Sequence, residues 1–182
     1  MRFHNITHDD MTNGTGMRVV LWVAGCEHHC AECHNPVTWD PYGGLEFTPW
    51  EEAEFYDWLA KPWTEGATFS GGDPLHPMNR NFIGNMAKTI KAKFPGKNIW
   101  VYTGYQLIKE EDKFLFENAQ GEAFSLDWLP YIDVLVDGRF EADIRRHDIE
   151  NGKKVYWRGS SNQRVIDIPE TIKKHEIIWR KE

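Results

Sequence analysis

Residues 17–35 have the sequence Met-Arg-Val-Val-Leu-Trp-Val-Ala-Gly-Cys-Glu-His-His-Cys-Ala-Glu-Cys-His-Asn, in which an apolar run leads directly into a polar, cysteine-rich string. The apolar run, residues 17–24, is interrupted only by Arg18 and predicts a strand buried on both faces, as in a parallel sheet. The three cysteines of the chain all lie in the polar string, at Cys26, Cys30 and Cys33. The predicted strand therefore leads every thiol of the chain into one loop.

The spacing of these cysteines, C-x3-C-x2-C, predicts a metal centre. Thiolates are soft ligands, and three of them this close in sequence can converge on one centre. An odd count at short spacing argues against a disulfide framework. A structural zinc site would take His28, His29 or His34 as its fourth ligand, but such sites usually draw on two separated pairs of ligands. The spacing therefore favours an iron–sulfur cluster that has three protein ligands and one open iron.

The size and charge of the chain exclude several broad classes of function. With 182 residues, the chain is long enough for one domain with a real core. A formal charge of −7 argues against a broad nucleic-acid surface. No apolar run reaches the length of a membrane span, and residues 1–5 do not begin a secretory signal. Clustered thiols in such a chain lead us to expect a reducing cytoplasm.

The remaining sequence alternates between predicted helices and strands. Helices are predicted from Thr48 to just before Pro62, where Thr-Pro-Trp-Glu forms a capping signal, and at 82–94, 106–118 and 169–174. Further strands are predicted at 67–69, 99–102, 132–136, 155–157 and 176–179. Residues 141–152 are strongly charged and are predicted to form a mobile loop.

Four of the predicted strands are each followed at once by a short polar string that contains Gly or Cys. In parallel α/β folds the carboxyl ends of the strands lie on one face, so these strings are expected to converge. A closed eight-stranded barrel needs about 250 residues, which exceeds this chain. We therefore expect one α/β domain over 1–182, an open partial (β/α) barrel of about five or six mainly parallel strands, with a C-terminal extension over 141–182.

The cysteine spacing resembles that of the radical S-adenosylmethionine superfamily. A longer string resembles that of the anaerobic ribonucleotide reductase-activating proteins: Gly25-Cys26-x-His28-x-Cys30-x-x-Cys33-x-Asn35-x-x-Thr38-Trp39. Four further strings follow in the order of that family, namely Ser70-Gly71-Gly72-Asp73-Pro74-Leu75-His76-Pro77, Tyr102-Thr103-Gly104-Tyr105, Val136-Asp137-Gly138-Arg139-Phe140 and Arg158-Gly159-Ser160-Ser161-Asn162-Gln163. The chain departs from the pattern at Thr15, where the family usually has Pro, and at Glu32, where many superfamily members have an aromatic residue.

The resemblance implies a fold, a reaction and partners. The fold would be the partial barrel of the radical S-adenosylmethionine type. The reaction would be the reductive cleavage of S-adenosylmethionine at a 4Fe-4S cluster, which gives a 5′-deoxyadenosyl radical. That radical would create a glycyl radical on the large subunit of an anaerobic ribonucleotide reductase. Because the chain has no further cysteine for a second cluster, an external donor such as flavodoxin would supply the electron.

The resemblance also assigns the site residues. Cys26, Cys30 and Cys33 would be the catalytic cluster ligands. The contacts with S-adenosylmethionine would come from Glu32, Cys33, His34, Gly71, Gly72 and Asp73. Two glycines leave backbone carbonyls free to accept from an ammonium group, with the charge of Asp73 nearby.

The other polar residues of these strings receive weaker expectations. Thr103 could bind ligand hydroxyls, Arg139 could pair with a carboxylate, and residues 158–163 could bind a phosphate or the partner protein. His28 and His29 could tune the cluster or the entry of the electron, but they are expected to be exposed polar loop residues. Two alternative functions remain open, an activase of a different glycyl-radical enzyme and a Cys3His zinc-binding interaction module.

Overall fold

The computed structural model describes residues 1–180. Its strands are β1 (Arg2–Asp10), β2 (Met17–Val23), β3 (Leu45–Glu46), β4 (Thr64–Gly71), β5 (Asn98–Tyr102), β6 (Gln106–Glu110), β7 (Lys113–Glu117), β8 (Ala123–Phe124), β9 (Val134–Asp137) and β10 (Arg164–Asp167). Its α-helices are α1 (Pro49–Leu59), α2 (Arg80–Lys93), α3 (Ala142–Glu150) and α4 (Ile168–Lys174). The secondary structure is therefore of the α/β class.

A mixed seven-stranded sheet forms the centre of the protein, in the order β10-β9-β5-β4-β2-β1-β3. The four inner strands β2, β4, β5 and β9 are parallel to one another. At the edges, β1 pairs with β2 and β10 pairs with β9 in antiparallel register. Because the inner strands are parallel, their carboxyl ends lie at one edge of the sheet, and the polar strings that follow them begin there.

The main hydrophobic core contains residues of the inner strands and of helices α1 and α2. Val19, Leu21, Phe69 and Val101 are fully buried and belong to one cluster with Phe55 of α1 and with Ile83 and Ile90 of α2.

The predicted start of α1 is confirmed by a capping box. The Thr48 side chain accepts from Trp50 N, and the Glu51 side chain accepts from Thr48 N. The helix over 169–174 is also confirmed as α4.

Arg18, the one charge in the predicted strand, is fully buried beside Trp100. Its guanidinium donates to Thr68 Oγ1 at 2.6 Å, to Ala67 O at 2.6 Å and to Thr15 O at 2.9 Å. The group also lies 5.4 Å from the centre of the Trp100 ring, within range of a cation–π contact. Burial lowers the pKa of Arg18 to about 10. Hydrogen bonds to neutral oxygens thus satisfy a cation that interrupts the apolar run.

The helix predicted over 106–118 is wrong, because this segment forms the β6–β7 hairpin. Leu107 pairs with Phe116 and Ile108 with Leu115, and β8 adds a third strand beside β7. Leu107 and Phe116 are both fully buried in the main core, as alternation along two strands requires. The chain reverses direction at Glu111, which has φ of 51°. This conformation favours Gly or Asn, and neither residue stands at this turn to predict it.

Three predictions for the C-terminal part also differ from the structure. Residues 142–150 form α3 and not a mobile loop, and the buried carboxylate of Asp148 accepts from Ser161 N at 2.9 Å. Residues 155–157 form no strand, and Trp157 has φ of 52°. Residues 176–179, also predicted as a strand, contribute only an isolated bridge between Trp179 and Ile166 of β10.

Helices long and apolar enough to cross a bilayer are absent from the described part of the chain.

Candidate iron–sulfur site

The three cysteines lie on one loop whose base is closed by backbone hydrogen bonds. Gly25 N donates to Thr38 O at 2.8 Å, and Cys26 N donates to Trp39 O at 3.0 Å. Within the loop, Cys33 N donates to Cys30 O at 3.1 Å, which brings the last two cysteines onto one turn. The loop that β2 enters is therefore a closed unit, here called the cysteine loop and comprising residues 25–39.

The segment after β4 packs directly against this loop. Gly72 N donates to Val23 O at 2.8 Å, and Asp73 N donates to Gly25 O at 2.7 Å. A Cβ atom on Gly72 would lie 2.4 Å from Gly25 O and 2.9 Å from Thr38 O, so only glycine allows this approach. The cysteine loop and the string at 70–77 thus form one continuous wall.

A cavity of about 460 Å³ opens beside this wall. It is lined by residues that follow the four parallel strands, which places the polar strings around one space, as expected. Every residue assigned to the site from the sequence lies on its lining: Cys26, Cys30, Glu32, Cys33, His34, Gly71, Gly72, Asp73 and Thr103. The predicted site residues did not include several further lining residues, which all stand in the quoted strings except Arg145: His28, Asn35, Trp39, Tyr102, Phe140 and Arg145.

The donor set on this cavity fits a cluster with three thiolate ligands. All three cysteines are free thiols and half-buried. Burial, followed by the negative charge of Asp73, raises the pKa of the Cys26 thiol to about 12. A thiol of this kind ionises when a metal cation takes the place of its proton. Trp39 also lines this cavity, and its Nε1 is a buried donor without a hydrogen-bond partner in the described chain.

Asp73 is the centre of a buried hydrogen-bond network below the loop. Its side chain is 1% exposed and accepts from Thr103 Oγ1 at 2.9 Å, from Gly104 N at 2.8 Å and from Leu75 N at 2.7 Å. The ring of His28 contributes a further bond at 2.8 Å. The hydroxyl of Thr103 and the carboxylate of Asp73 therefore bond each other, and both connect the ends of β4 and β5.

The expectation that His28 is an exposed loop residue was wrong, because His28 is 8% exposed. Its ring forms a hydrogen bond with Asp73 and makes an edge contact with Tyr105, with 4.7 Å between the ring centres. Its partner is 45 residues away in sequence, so spacing alone could not reveal the pair. The only signal was the position of His28 within the string quoted for the family. His29, in contrast, is exposed as expected.

Glu32 and His34 lie at the exposed rim of the cavity. Glu32 has φ of 55° and forms an ion pair with Arg146 of α3, which also pairs with Asp143. Helix α3 thereby contacts the cysteine loop directly. In the same area, Arg139 Nη2 donates to His28 O at 2.7 Å.

The donor-rich segment 158–163 uses many of its polar groups within the protein. Gln163 accepts from Gly159 N at 2.8 Å and donates to Gly138 O at 2.8 Å. Asn162 donates to Arg139 O at 2.8 Å. These bonds join the segment to the turn after β9, so its main observed role is to hold that edge of the cavity together.

A comparison with family models identifies residues 12–166 as a 4Fe-4S single cluster domain. Curated relatives carry the name anaerobic ribonucleoside-triphosphate reductase-activating protein. The protein from Enterobacteria phage T4 is 38% identical over 176 residues, which cover 97% of this chain and all of the relative. The protein from Escherichia coli K12 is 38% identical over 167 residues, or 91% and 97% of the two chains.

A third relative, from Pasteurella multocida, is 37% identical over 156 residues, or 85% of this chain and 89% of its own. Identity at this level extends over most of the length of all three relatives. The chain therefore belongs to the family of anaerobic ribonucleoside-triphosphate reductase-activating proteins, which carry a 4Fe-4S single cluster domain.

Proposed function

We propose that this protein binds a 4Fe-4S cluster and S-adenosylmethionine and installs a glycyl radical on an anaerobic ribonucleotide reductase. The observation that carries the proposal is the arrangement of the three cysteines on one cavity together with the Gly71-Gly72-Asp73 segment. The names of the relatives supply the partner. The proposal includes a partial barrel of the radical S-adenosylmethionine type and a cytoplasmic location, for which the four parallel inner strands and the clustering of all three cysteines in one loop give support.

In this proposal Cys26, Cys30 and Cys33 would hold three irons of the cluster, and the fourth iron would have no protein ligand. When bound, such a cluster supplies the single electron that breaks the sulfonium C–S bond of S-adenosylmethionine, and the adenosyl fragment then removes a hydrogen atom from a glycine of the partner. The electron comes from an external donor such as flavodoxin. The half-buried loop limits the access of water to the sulfurs, which helps to keep the potential low.

The chain's own residues position the cosubstrate. Gly71 and Gly72 place backbone, and no side chain, against the cavity, so their carbonyls can approach an ammonium group closely. At the rim, Glu32 offers its backbone, since its side chain is engaged by Arg146.

One observation favours the zinc alternative: one ligand atom each of Cys26, His28 and Asp73 lies within 4.8 Å of the others. Those atoms do not form a ready zinc site, however. The His28 ring and Asp73 already bond each other at 2.8 Å, and Asp73 accepts from three further donors. A zinc ion on these three atoms would have to displace this buried network, whereas a cluster held by the three cysteines uses neither His28 nor Asp73 as a ligand.

Anaerobic reconstitution with iron and sulfide tests the proposal. We expect a brown protein with about four irons per chain, which forms 5′-deoxyadenosine when dithionite and S-adenosylmethionine are added. Cys30→Ala should abolish this product, while Cys30→Ala and the parent should unfold at similar temperatures without metal. A colourless protein that retains one zinc in air, or full activity of Cys30→Ala, would contradict the proposal.

The identity of the partner needs a separate experiment. The reconstituted protein is mixed without oxygen with an anaerobic ribonucleotide reductase or with another glycyl-radical enzyme, and the glycyl doublet is followed by electron paramagnetic resonance. We expect the doublet with the reductase only. A doublet with the other enzyme alone would favour the alternative of a different activase.

A further inference from the structure

We propose that Arg145 of helix α3 binds the carboxylate of the cosubstrate and thereby selects a ligand that carries an amino-acid group. This inference rests on the proposed binding of S-adenosylmethionine. It adds to the site a residue of the C-terminal extension, to which neither the resemblance nor the names of the relatives assign a role.

The first step is that Arg145 lies on the inward face of α3. The buried residues of this helix are Ala142 and Asp148. Arg145 follows the first by three residues and precedes the second by three, and residues at this spacing share a helix face. Arg145 is half-buried and lines the cavity of about 460 Å³. The helix therefore presents this cation to the cavity, whereas the neighbouring Arg146 is exposed and pairs with Glu32.

The second step is that both ends of α3 are anchored to the segment 158–163. At the start of the helix, Glu141 N donates to the hydroxyl of the buried residue Ser160 at 3.1 Å. Near its end, the buried carboxylate of Asp148 accepts from Ser161 N at 2.9 Å. Arg145 lies between these anchors, so its backbone is held in place beside the cavity. A group that is already positioned loses less freedom when a ligand binds.

The third step concerns the other charges on the cavity. Its two acidic residues are already engaged, Glu32 by Arg146 and Asp73 by four hydrogen bonds. Within residues 1–180, the side chain of Arg145 has neither a hydrogen-bond acceptor nor an acidic partner. Arg158 lines the same cavity. The cavity therefore offers a half-buried guanidinium, a group that can bind a carboxylate with two parallel hydrogen bonds.

The fourth step matches this group to the cosubstrate. The methionine end of S-adenosylmethionine carries an ammonium group and a carboxylate. In the proposed function the ammonium group lies at the Gly71-Gly72 carbonyls beside Asp73, whose charge would repel the carboxylate. The carboxylate therefore needs a cation elsewhere on the cavity, and Arg145 supplies it. Water screens a half-buried pair of charges less than an exposed pair, so this contact should contribute strongly to affinity.

The test compares two ligands that differ at this end. S-adenosylhomocysteine has the ammonium group and the carboxylate, whereas 5′-methylthioadenosine lacks both, and neither ligand has a net charge. The loss of a distant positive charge should therefore affect their binding alike. Dissociation constants are measured by equilibrium dialysis of anaerobically reconstituted protein, and the iron content of each variant is determined alongside.

We expect Arg145→Gln to bind S-adenosylhomocysteine about tenfold more weakly, because a hydrogen bond to a charged group is lost, and to bind 5′-methylthioadenosine as wild type does. Arg145→Lys should lie between the two, since it keeps the charge without the planar fork. Lys154→Gln is the matched control, because it removes one exposed positive charge of the same extension that does not line the cavity. It should bind both ligands normally.

Wild-type protein offers a second measurement, which does not depend on the folding of a variant. Phenylglyoxal labels arginine side chains, and mass spectrometry identifies the labelled residue. S-adenosylhomocysteine should protect Arg145 from the label, and 5′-methylthioadenosine should protect it less. Equal labelling of Arg145 with and without S-adenosylhomocysteine would overturn the inference.

Three outcomes of the binding experiment would also overturn it. Equal losses for both ligands in Arg145→Gln would mean that Arg145 only shapes the cavity. A loss confined to Arg158→Gln would assign the carboxylate to the other arginine. Normal binding by Arg145→Gln together with loss of the glycyl doublet would mean that this cation contacts the partner protein. If wild-type protein binds neither ligand, the proposed function itself fails, whereas binding that every variant retains removes this inference alone.

Discussion

Gly72 lies against the peptide carbonyl of Gly25, and a Cβ atom built on Gly72 would be 2.4 Å from that oxygen. This contact joins the end of β4 to the beginning of the cysteine loop. The neighbouring bond from Asp73 N to Gly25 O, at 2.7 Å, depends on the same approach. The close approach of β4 to the cysteine loop thus depends on the lack of a Cβ atom at residue 72.

Gly72→Ala should therefore push the cysteine loop away from β4. We expect the free energy of unfolding to fall by about 1–3 kcal/mol, as for other overpacked sites, and reconstituted iron to fall well below that of wild type. Urea unfolding and iron analysis measure the two effects. Gly96→Ala is the control, since a Cβ at Gly96 would meet nothing within 4 Å. Equal iron content in both variants would contradict this account.

The thiol of Cys26 should stay protonated to an unusually high pH in metal-free protein, because burial and Asp73 raise its pKa to about 12. Its alkylation rate, followed by mass spectrometry, should keep rising with pH well above 9. The metal-free fold should also lose stability between pH 9 and 12, since the unfolded thiol, with a pKa of 9.0, loses its proton first. A rate that levels off near pH 9 would show that Cys26 is not shielded.

Arg164→Met should destabilise the protein strongly at neutral pH. Arg164 Nε donates to Asp137 Oδ1 at 2.9 Å, and the Asp137 side chain is 0% exposed. Removing the cation leaves a buried charge, which typically costs about 3–5 kcal/mol. Burial already raises the pKa of Asp137, and Arg164 opposes that shift, so the loss should shrink as the pH falls toward 3.8, the pKa at which half of the unfolded carboxyl groups carry a proton too.

The controls for this pair are a double variant and an exposed pair. Arg164→Met combined with Asp137→Asn should recover part of the loss, because an amide carries no charge into the interior. Lys88→Met removes a partner of exposed Asp127 and should cost about 1 kcal/mol or less. Urea unfolding at two pH values measures all three variants. Similar losses for Arg164→Met and Lys88→Met would refute the buried-charge explanation.

Arg146→Ala should change stability little. The ion pairs of Arg146 with Glu32 and Asp143 are exposed, and such pairs contribute about 0–1 kcal/mol and weaken with salt. We expect thermal unfolding close to that of wild type and unchanged cluster content. A large loss of iron in this variant would instead indicate that α3 holds the cysteine loop in place.

The sequence predicted the elements that are determined by residues close together in the chain. The apolar run 17–24 gave β2 directly, and the capping residues Thr48 and Glu51 gave the start of α1. The convergence of the polar strings followed from one rule, that parallel strands end at the same edge, and the lining of the cavity agrees with it.

The parts that the sequence did not predict depend on contacts between distant residues. In 106–118 the apolar residues fit both a helical and an alternating period, and pairing of Leu107 with Phe116 decides for the hairpin. Charged residues suggested a loop at 141–152, but burial of Ala142 and Asp148 fixes a helix there. His28 was misassigned because its partner, Asp73, follows a different strand.

The closed base of the cysteine loop has a practical consequence for attempts to reproduce the site in miniature. A synthetic peptide of residues 25–39 could keep the bonds from Gly25 to Thr38 and from Cys26 to Trp39, but it would lack Gly72 and Asp73 beneath them. Its thiols would face water on all sides. A cluster assembled on such a peptide should be short-lived, and transplanting the motif into another scaffold should require the β4 segment as well.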